Sequence, residues 1–263
     1  MFKSNDIKPM FSLVQTTTLL VLLVILGGIG FLIWRSERAA KTHAAIAAFN
    51  ESRWEEGLNL SLNADRGDAK IQAGLGMCYM LGLGGVDHDR ATGFLWFQKS
   101  AYNGDLRGQS LLGQAYYQGW GVAQNYDMAV RWWRGAANKG WSAAQYDLGQ
   151  CLLEGKGVTK DEREAVEWFK KAAEQDHPDA HYALGICYIS GSGVTKDTAR
   201  GVQWLKKGAE KGSVDAQRML GGCYRVGLGV ECNLDEARKW LDKAARQGDE
   251  KASQQLSELD GRR

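Results

Sequence analysis

The chain has 263 residues and a formal net charge of +2 at neutral pH. This balance offers no strongly basic patch or stripe, so the composition excludes a nucleic-acid-binding role. Glycine is frequent, with 33 residues, but proline occurs twice and the glycines recur at regular spacing. The composition therefore indicates an ordered chain rather than a low-complexity one.

An uncharged segment follows a short tail, residues 1–10. It runs from Phe11 to Trp34, and about 20 apolar residues suffice to cross a bilayer. A cleaved signal peptide is the alternative, but its apolar core is only about 7 to 15 residues long and ends at small residues. This run is longer and ends at Trp34-Arg35, so the sequence predicts one transmembrane helix over residues 11–34.

The charges beside this segment do not decide its orientation. Lys3 and Lys8 precede it, and Arg35, Arg38 and Lys41 follow it. Because positive charges flank both ends, the preference of basic residues for the cytoplasmic side does not assign the side that carries the rest of the chain.

Residues 35–68 have a weaker helical pattern than the chain after them. An alanine-rich stretch ends at Phe49, and a second stretch begins at Arg53 and is closed by Gly67-Asp68. Together they resemble a degenerate tetratricopeptide unit, and terminal repeats are usually atypical because one side faces solvent. We predict two capping helices in this segment.

Five near copies of one pattern occupy residues 69–248. Each has a Leu-Gly pair, a Tyr or Leu four residues after that Leu, a Gly-x-Gly-Val loop with one extra glycine in the first copy, and a tryptophan ten residues after the valine. The tryptophans lie 36 residues apart: Trp96, Trp132, Trp168, Trp204 and Trp240. A period between 20 and 50 residues is typical of stacked repeats. The predicted units are 69–104, 105–140, 141–176, 177–212 and 213–248.

Each unit is predicted to be a helix, a glycine turn and a second helix. Leu and Tyr at i and i+4 share one face of the first helix, and the glycine after the Leu lets a neighbouring backbone approach closely. The loop glycines supply the positive φ of a sharp reversal. Trp and the alanines after it form the buried stripe of the second helix. Residues 249–263 are predicted to form a C-terminal capping helix and tail.

The unit from Leu184 to Gly212 approximates the string LGxxYxxGxGVxxDxxxAxxWxxKAAxxG. This string resembles the Sel-one-like repeat (SLR), a relative of the tetratricopeptide repeat, and the resemblance covers residues 69–248. It implies a right-handed α-solenoid that scaffolds protein complexes or binds protein segments, often in the bacterial envelope or in signalling. Two departures are mild: Leu152 stands at the tyrosine position, and Asp176 replaces the closing glycine.

Four cysteines occupy one equivalent position, here called a slot, of the repeat: Cys78, Cys151, Cys187 and Cys223. This equivalence predicts small buried packing residues, whereas relatives with disulfide-clamped repeats carry paired cysteines in each unit. Cys232 is expected in a loop, and an exposed free thiol favours a reducing compartment. We therefore expect a single-pass protein of a bacterial inner membrane with a cytoplasmic solenoid, and the periplasmic side stays open as the alternative.

Catalytic and metal-binding motifs receive little support. SxxK, GxSxG and HExxH are absent from the sequence. Gly149 to Lys156 looks like a phosphate-binding loop, but the glycines are six apart and no Ser or Thr follows the lysine. His177 and His181 have helical i, i+4 spacing, but no further carboxylate or thiol pair accompanies them. We expect no enzymatic activity, no cofactor and no metal.

Slots that differ between units are free to specify a partner. On the first helix one variable stripe runs at i, i+4 and i+7, on one face. In the resembling solenoids the first helices line the concave wall, so stacked trios would form a groove for an extended peptide or a helix. The alternative is that these slots are unselected surface or core.

Trp120 and Trp141 are two further tryptophans outside the 36-residue series. Trp120 stands in a glycine loop and Trp141 in a turn between units. Exposed Trp is typical of interface anchors, although Trp120 could instead pack on Trp133 or a neighbouring loop. The predicted partner-binding residues are Tyr117, Trp120, Trp141, Tyr146, Gln150, Tyr182, Ile186, Arg218 and Arg225.

The sequence thus predicts an all-α fold, a right-handed α-solenoid of 36-residue helix-turn-helix repeats preceded by one transmembrane helix. Its predicted function is that of a membrane-anchored scaffold or adaptor that binds a protein segment on the concave face. The alternative is an envelope enzyme accessory or a carbohydrate-binding module that uses the same exposed tryptophans.

Overall fold

The computed structural model describes residues 37, 40–42, 44–48, 53–62 and 67–260, and regular structure in these ranges is helical throughout. The numbered helices are α1 (Trp54–Leu62), α2 (Ala69–Leu81), α3 (Arg90–Tyr102), α4 (Leu106–Gln118), α5 (Tyr126–Asn138), α6 (Ser142–Glu154), α7 (Glu162–Ala173), α8 (Pro178–Ser190), α9 (Thr198–Glu210), α10 (Val214–Val226), α11 (Leu234–Arg246) and α12 (Glu250–Asp260). Residues 44–48, before α1, are helical as well.

Helices of two kinds alternate along the chain. The first helix of each unit is called an A helix (α2, α4, α6, α8 and α10), and the second is called a B helix (α3, α5, α7, α9 and α11). Each A helix packs on the B helix of its own unit, and that B helix packs on the next A helix. At the C-terminal end α12 packs on α11. The prediction of an all-helical solenoid built from repeated helix pairs is confirmed.

The predicted transmembrane helix over residues 11–34 lies outside the described residues. Among the ranges that the structure describes, no helix is both long enough and apolar enough to cross a bilayer.

The turn from an A helix to its B helix depends on one glycine and two carbonyl groups. In unit three α6 ends at Gly155, where φ is +71°, and its N–H donates to the Cys151 carbonyl at 2.8 Å. The N–H of Asp161 donates to the Leu152 carbonyl at 2.9 Å, and the Asp161 carboxylate caps α7. The predicted left-handed turn is confirmed in all five units, at Gly82, Gly119, Gly155, Gly191 and Gly227.

The core of each unit is a large B-helix side chain seated on a glycine of the A helix. In unit three the Phe169 ring is 0% exposed, and a Cβ added at Gly149 would lie 2.5 Å from ring atom Cε1. The same pairing joins Phe97 to Gly76, Trp133 to Gly113, Leu205 to Gly185 and Leu241 to Gly221. The glycine after each Leu was predicted to allow the close approach of a neighbouring backbone. The atoms nearest to it belong instead to this B-helix side chain.

The repeated tryptophans lie one residue before these core side chains, nearer the surface. Trp168 and Trp240 are buried, as predicted for the whole set, whereas Trp96, Trp132 and Trp204 are half-buried. A lysine three residues later covers the outer ring face in four units: Lys99, Lys171, Lys207 and Lys243 have Nζ 4.0 to 4.5 Å from the ring centroid. The ammonium keeps solvent contact while the stem shields the ring. The deepest core slot is therefore the one after the tryptophan.

The A helices form the inner layer of the solenoid. α2 packs directly on α4, and α8 packs directly on α10. Polar side chains tie this layer together at one buried slot, where Gln175 Nε2 donates to Gln145 Oε1 and Gln247 Nε2 donates to Gln217 Oε1, each at 2.8 Å. Each pair joins the start of one A helix to the turn before the next, so it sets the stacking of neighbouring units.

The cysteine slot is part of the packed layer. The four repeat cysteines are buried and free, as predicted, and Cys232 is exposed. Burial raises the pKa of the Cys151 thiol to about 12. These thiols are therefore protonated, uncharged packing groups at neutral pH.

Candidate functional site

The predicted stripe occupies three slots on the inner layer. The first holds Tyr146, Tyr182 and Arg218, the second Gln150 and Ile186, and the third Tyr117 and Arg225. All seven side chains, together with Trp120 and Trp141, are half-buried. We call the inner face between the first-slot residues Tyr146, Tyr182 and Arg218 the inner groove. Its side chains have one part packed against the fold and another part open to a partner.

Tyr146 stands at the start of the inner groove. Its ring stacks on His177 of the next unit, with centroids 5.1 Å apart and planes inclined by 19°. Burial, and then the negative charges of Asp179, Asp147 and Asp215, raises the pKa of Tyr146 to about 12. Carboxylates from three successive A helices therefore act on this one hydroxyl group.

Tyr182 follows Tyr146 in the next unit. Its ring packs against the core of units four and five, and burial raises the pKa of its hydroxyl group. Within the described residues this hydroxyl makes no hydrogen bond, whereas the Tyr146 hydroxyl accepts one from Gln150 Nε2 at 2.8 Å. The Tyr182 hydroxyl and the neighbouring Ile186 side chain are thus available to a partner. The Tyr146 hydroxyl and the Gln150 amide, in contrast, already bond to each other.

Arg218 and Arg225 are bound within the fold. Arg218 pairs with Asp215 of its own helix, and its Nε lies 3.0 Å from Oδ2 of Asp249, the N-cap residue of α12. Arg225 Nη1 lies 3.4 Å from Glu258 Oε2 of α12. The structure therefore gives both arginines the role of attaching α12 to unit five, which sequence reasoning did not anticipate.

Tyr117 and Trp120 lie at the edge of the inner layer where the A helices end. The Tyr117 hydroxyl receives a hydrogen bond from Lys156 Nζ of the next unit at 3.1 Å. Trp120 packs on a cluster that joins Met80 and Phe97 of unit one to Leu112 and Ala115 of its own unit. Trp120 therefore packs on helix side chains of two units, whereas the alternative had named Trp133 or a neighbouring loop.

Trp141 occupies the N-cap of α6 and makes no side-chain capping hydrogen bond. Aspartate and serine cap other A helices in this slot, as Asp68, Asp105 and Ser213 do, and losing such a cap costs about 1 kcal/mol. Trp141 instead lines a cleft of about 440 Å³ together with residues 68–70 and 103–106. Helix α6 thus lacks a side-chain cap, and the cleft has an aromatic side chain on one wall.

Two of the predicted residues stand apart from the others. Trp120 follows the end of α4, whereas Trp141 precedes the start of α6, so the two tryptophans lie at opposite edges of the inner layer. An A helix of 13 residues separates these edges by about 20 Å. The structure brings Tyr146, Tyr182 and Arg218 together on successive A helices, and it places the tryptophans outside that row.

The two histidines with helical spacing contact other groups. His181 is buried, with Nδ1 2.9 Å from the His177 carbonyl oxygen and its ring 5.7 Å from that of Trp204. Burial lowers the pKa of His177, and its Nδ1 is buried with no hydrogen-bond partner among the described residues. Those residues contain no group of three or more side chains placed to hold a metal ion.

A carboxylate that sequence reasoning missed lies beside Tyr146. Asp147 stands in a slot held elsewhere by Gly74, Leu111, Ala183 and Met219. Leu111 and Met219 pack against clusters that border the preceding A helix. Burial raises the pKa of the Asp147 carboxyl to about 7, and this group makes no hydrogen bond or ion pair within the described residues. A comparison of this slot across the five units could have found it.

We expect the variant Asp147→Leu to be more stable than the wild type. It places in unit three the residue that unit two has at Leu111, and it removes a half-buried carboxyl without a partner. The raised pKa of this carboxyl shows that its surroundings disfavour the charged form, so an apolar replacement should raise the free energy of unfolding by about 1 kcal/mol. Thermal and urea denaturation followed by circular dichroism measure the change, and a loss of stability would mean that Asp147 supports the fold.

The Sel1 repeat family model matches the chain five times, at residues 69–105, 106–141, 142–177, 178–213 and 214–249. The comparison with curated proteins gives no match. Among solved structures, a Sel1 repeat protein from Oxalobacter formigenes is 32% identical over 82% of this chain and 86% of its own, with a TM-score of 0.73.

A second solved structure is c5321, a protective antigen of uropathogenic Escherichia coli with an SLR fold. It is 30% identical over 89% of this chain, with a TM-score of 0.70. The match covers 51% of c5321, so this chain corresponds to about half of that protein. A Sel1 repeat protein from Klebsiella pneumoniae, 21% identical over 74% of this chain and 94% of its own, has a TM-score of 0.51 and shows the fold alone.

Proposed function

This chain belongs to the Sel1 repeat family, and on that premise we propose that it is a membrane-anchored scaffold that binds a protein segment along the inner groove. Sel1 repeat proteins generally mediate protein–protein interactions, and the family is generally a non-enzymatic interaction module. The membrane anchor, the scaffold role and the groove as the binding surface are the parts proposed for this chain.

The observation that carries the proposal is the contrast between two sets of slots in the same units. The core slots repeat with little change and are filled by Leu, Gly and the large side chain after the tryptophan. The inner slots change from unit to unit, and Tyr182 and Ile186 are half-buried. A rigid inner layer that presents half-buried aromatic and aliphatic side chains has the character of a protein-binding site.

Photo-crosslinking in cells tests the proposed surface. We expect a benzoylphenylalanine at position 182 of the full chain to give defined protein adducts, because the side chain there faces the groove. The matched control carries the same group at Gln203, an exposed residue of the B helix α9. Equal adducts from both positions, or adducts from the control alone, would move the interface away from the inner layer.

The substitution Tyr182→Ala tests the energetic weight of the groove. Truncating a central aromatic residue typically costs 2 kcal/mol or more, which corresponds to about a thirtyfold loss of affinity for the crosslinked partner. Arg218 is unsuitable for this test because its ion pairs hold α12. Calorimetry with the partner measures the affinity, and wild-type affinity in Tyr182→Ala would exclude Tyr182 from the contact.

The membrane anchor rests on the uncharged residues 11–34. Burial of apolar surface does not respond to ionic screening, so the full-length chain should stay with membranes in carbonate and high salt. A shortened soluble form would indicate a cleaved signal peptide instead. A reporter active on one side of the membrane, fused after Arg263, tests the proposed cytoplasmic location of the repeats.

One observation favours a second candidate function, carbohydrate binding. Trp141 is half-buried at the wall of a cleft that also presents the polar residues Lys70, Asn103 and Asp105. An aromatic platform with a few polar groups suits a small polar ligand such as a sugar. Binding of purified glycan strands that Trp141→Ala abolishes and Tyr182→Ala retains would favour this second function.

A further inference from the structure

The inner groove is lined by acidic side chains in units three to five, although the packing of the A helices does not require carboxyl groups there. Asp147 follows Tyr146 on α6, and Asp179 stands two residues after His177, whose ring stacks on Tyr146. Asp215 follows on the next A helix, and after burial these three carboxyl groups contribute to the raised pKa of Tyr146. In equivalent slots the first units carry other side chains: Lys70 and Arg107 stand where Asp179 and Asp215 stand. The acidic character is therefore confined to the later units.

Part of this negative charge is already neutralised within the fold. Asp215 pairs with Arg218, and Asp179 Oδ1 accepts a hydrogen bond from Ser213 Oγ at 2.7 Å. That bond leaves the charge of Asp179 in place. Asp147 has no hydrogen bond or ion pair in the described part of the chain, and burial raises the pKa of its carboxyl group to about 7. A cation beside it would therefore favour its ionised form.

Two polar groups of this region have no hydrogen-bond partner within the described residues. Asp147 lies in a slot where units two and five have Leu111 and Met219, so a carboxyl group there is not needed for folding. His177 stacks on Tyr146, and its Nδ1 is buried with no hydrogen-bond partner among the described residues. An unpartnered carboxyl and an unpartnered ring nitrogen thus flank the same tyrosine. The Asp147 carboxyl group can accept a hydrogen bond from a cationic ligand, whereas the His177 nitrogen is itself buried.

We propose that the inner groove of units three to five receives a basic stretch of the partner segment, with a lysine or arginine side chain held beside Tyr146 by Asp147 and Asp179. This inference rests on the proposed function and names the chemistry of the segment. The carboxylates supply acceptors for an ammonium or guanidinium group, and the Tyr146 ring supplies a face for the same cation. A guanidinium can bridge two acceptors, so arginine fits better than lysine.

Synthetic peptides test this inference with the full-length chain in phosphatidylcholine nanodiscs. The probe is fluorescein-labelled (Gly-Ala-Arg)4, compared with (Gly-Ala-citrulline)4, which has the same shape without the charge. Fluorescence anisotropy at low ionic strength gives the affinities, since exposed charge pairs weaken with salt. We expect the arginine peptide to bind about tenfold more tightly than the citrulline peptide.

Two double variants, each replacing two carboxyl groups by amides, separate a specific site from general electrostatic attraction. Asp147→Asn with Asp179→Asn should remove most of the preference for arginine, because asparagine keeps the size and the acceptor for Ser213. Glu174→Gln with Glu210→Gln removes two exposed carboxylates of the B-helix ends and should change the affinity by less than about twofold. Equal weakening by both pairs, or equal binding of the two peptides by the wild type, would overturn the inference.

The single variant Asp147→Leu keeps the test valid if the asparagine pair folds poorly. It should melt at or above the wild-type temperature and still lose part of the arginine preference. The failure of this inference also differs from the failure of the proposed function. Adducts from position 182 combined with citrulline binding as tight as arginine binding would retain the groove and reject the basic segment, whereas absent adducts would reject the groove itself.

Discussion

Replacing Phe169 by alanine is expected to lower the free energy of unfolding by about 3 to 5 kcal/mol, the range for truncating a buried aromatic side chain. The ring is 0% exposed and fills the notch above Gly149, so its removal leaves a cavity that a helix pair cannot easily close. Because neighbouring repeats share interfaces, hydrogen-exchange protection should also fall in α6 and α8.

The chain supplies its own control for this prediction. Leu205 and Leu241 occupy the same slot in units four and five, so Phe169→Leu keeps a large apolar side chain over the glycine. Phe169→Leu should therefore cost less than Phe169→Ala, because it removes fewer buried atoms and leaves a smaller cavity. Urea denaturation measures the free energy of unfolding of both variants. Similar losses for alanine and leucine would show that filling the space above Gly149 does not account for the stability that the ring provides.

Replacing Gly149 by alanine is expected to destabilise the protein by about 1 to 3 kcal/mol, the usual cost of overpacking a core. Inside a helix, glycine to alanine normally stabilises by about 0.5 to 1 kcal/mol. Here the new Cβ would lie 2.5 Å from Cε1 and 2.8 Å from Cδ1 of Phe169. The ring has no room to withdraw in a packed core, so the sign of the effect reverses.

Gly222 provides the matched comparison for Gly149. It also lies inside an A helix, α10, but a Cβ there would meet no heavy atom within 4 Å. Gly222→Ala should therefore raise the melting temperature, as helix propensity alone predicts. If the close approach at Gly149 governs the result, thermal denaturation should show a lower melting temperature for Gly149→Ala and a higher one for Gly222→Ala. Stabilisation by both substitutions would contradict the packing of Phe169 on Gly149.

The fold was readable from the sequence because its determinants are local and are repeated five times. A glycine with positive φ must end each A helix, and an aspartate or asparagine caps each B helix. Both signals lie within a few residues of the element they define. The depth of each side chain was less readable. The repeat period predicts a B-helix position for both Trp168 and Phe169. Only the packing shows that the Phe169 ring, and not Trp168, lies against Gly149.

The candidate site was harder to read because its contacts join different units. Tyr146 reaches His177, and Arg218 reaches Asp249, across about 31 residues of sequence. Variable slots therefore have partners among other variable slots, so variation between units did not distinguish Arg218, which holds α12, from Tyr182, which has an open hydroxyl. The Asp147 carboxyl was visible in the sequence, but its environment depends on the neighbouring A helices.

These contacts between units bear on which segment of the chain can be transplanted as a module. Gln145 with Gln175, Tyr146 with His177, and Arg218 with Asp249 are separated by 30 or 31 residues, which is less than the 36-residue period. A segment cut at the unit boundaries, such as 141–176 or 213–248, keeps Gln145 with Gln175 but separates Tyr146 from His177 and Arg218 from Asp249. A segment of one period that begins at Gln145 or at its equivalent Gln217 carries both partners with it. Chimeric arrays joined inside the A helices should therefore keep all of these contacts, whereas arrays joined at the turns would have to form the contacts of Tyr146 and Arg218 anew.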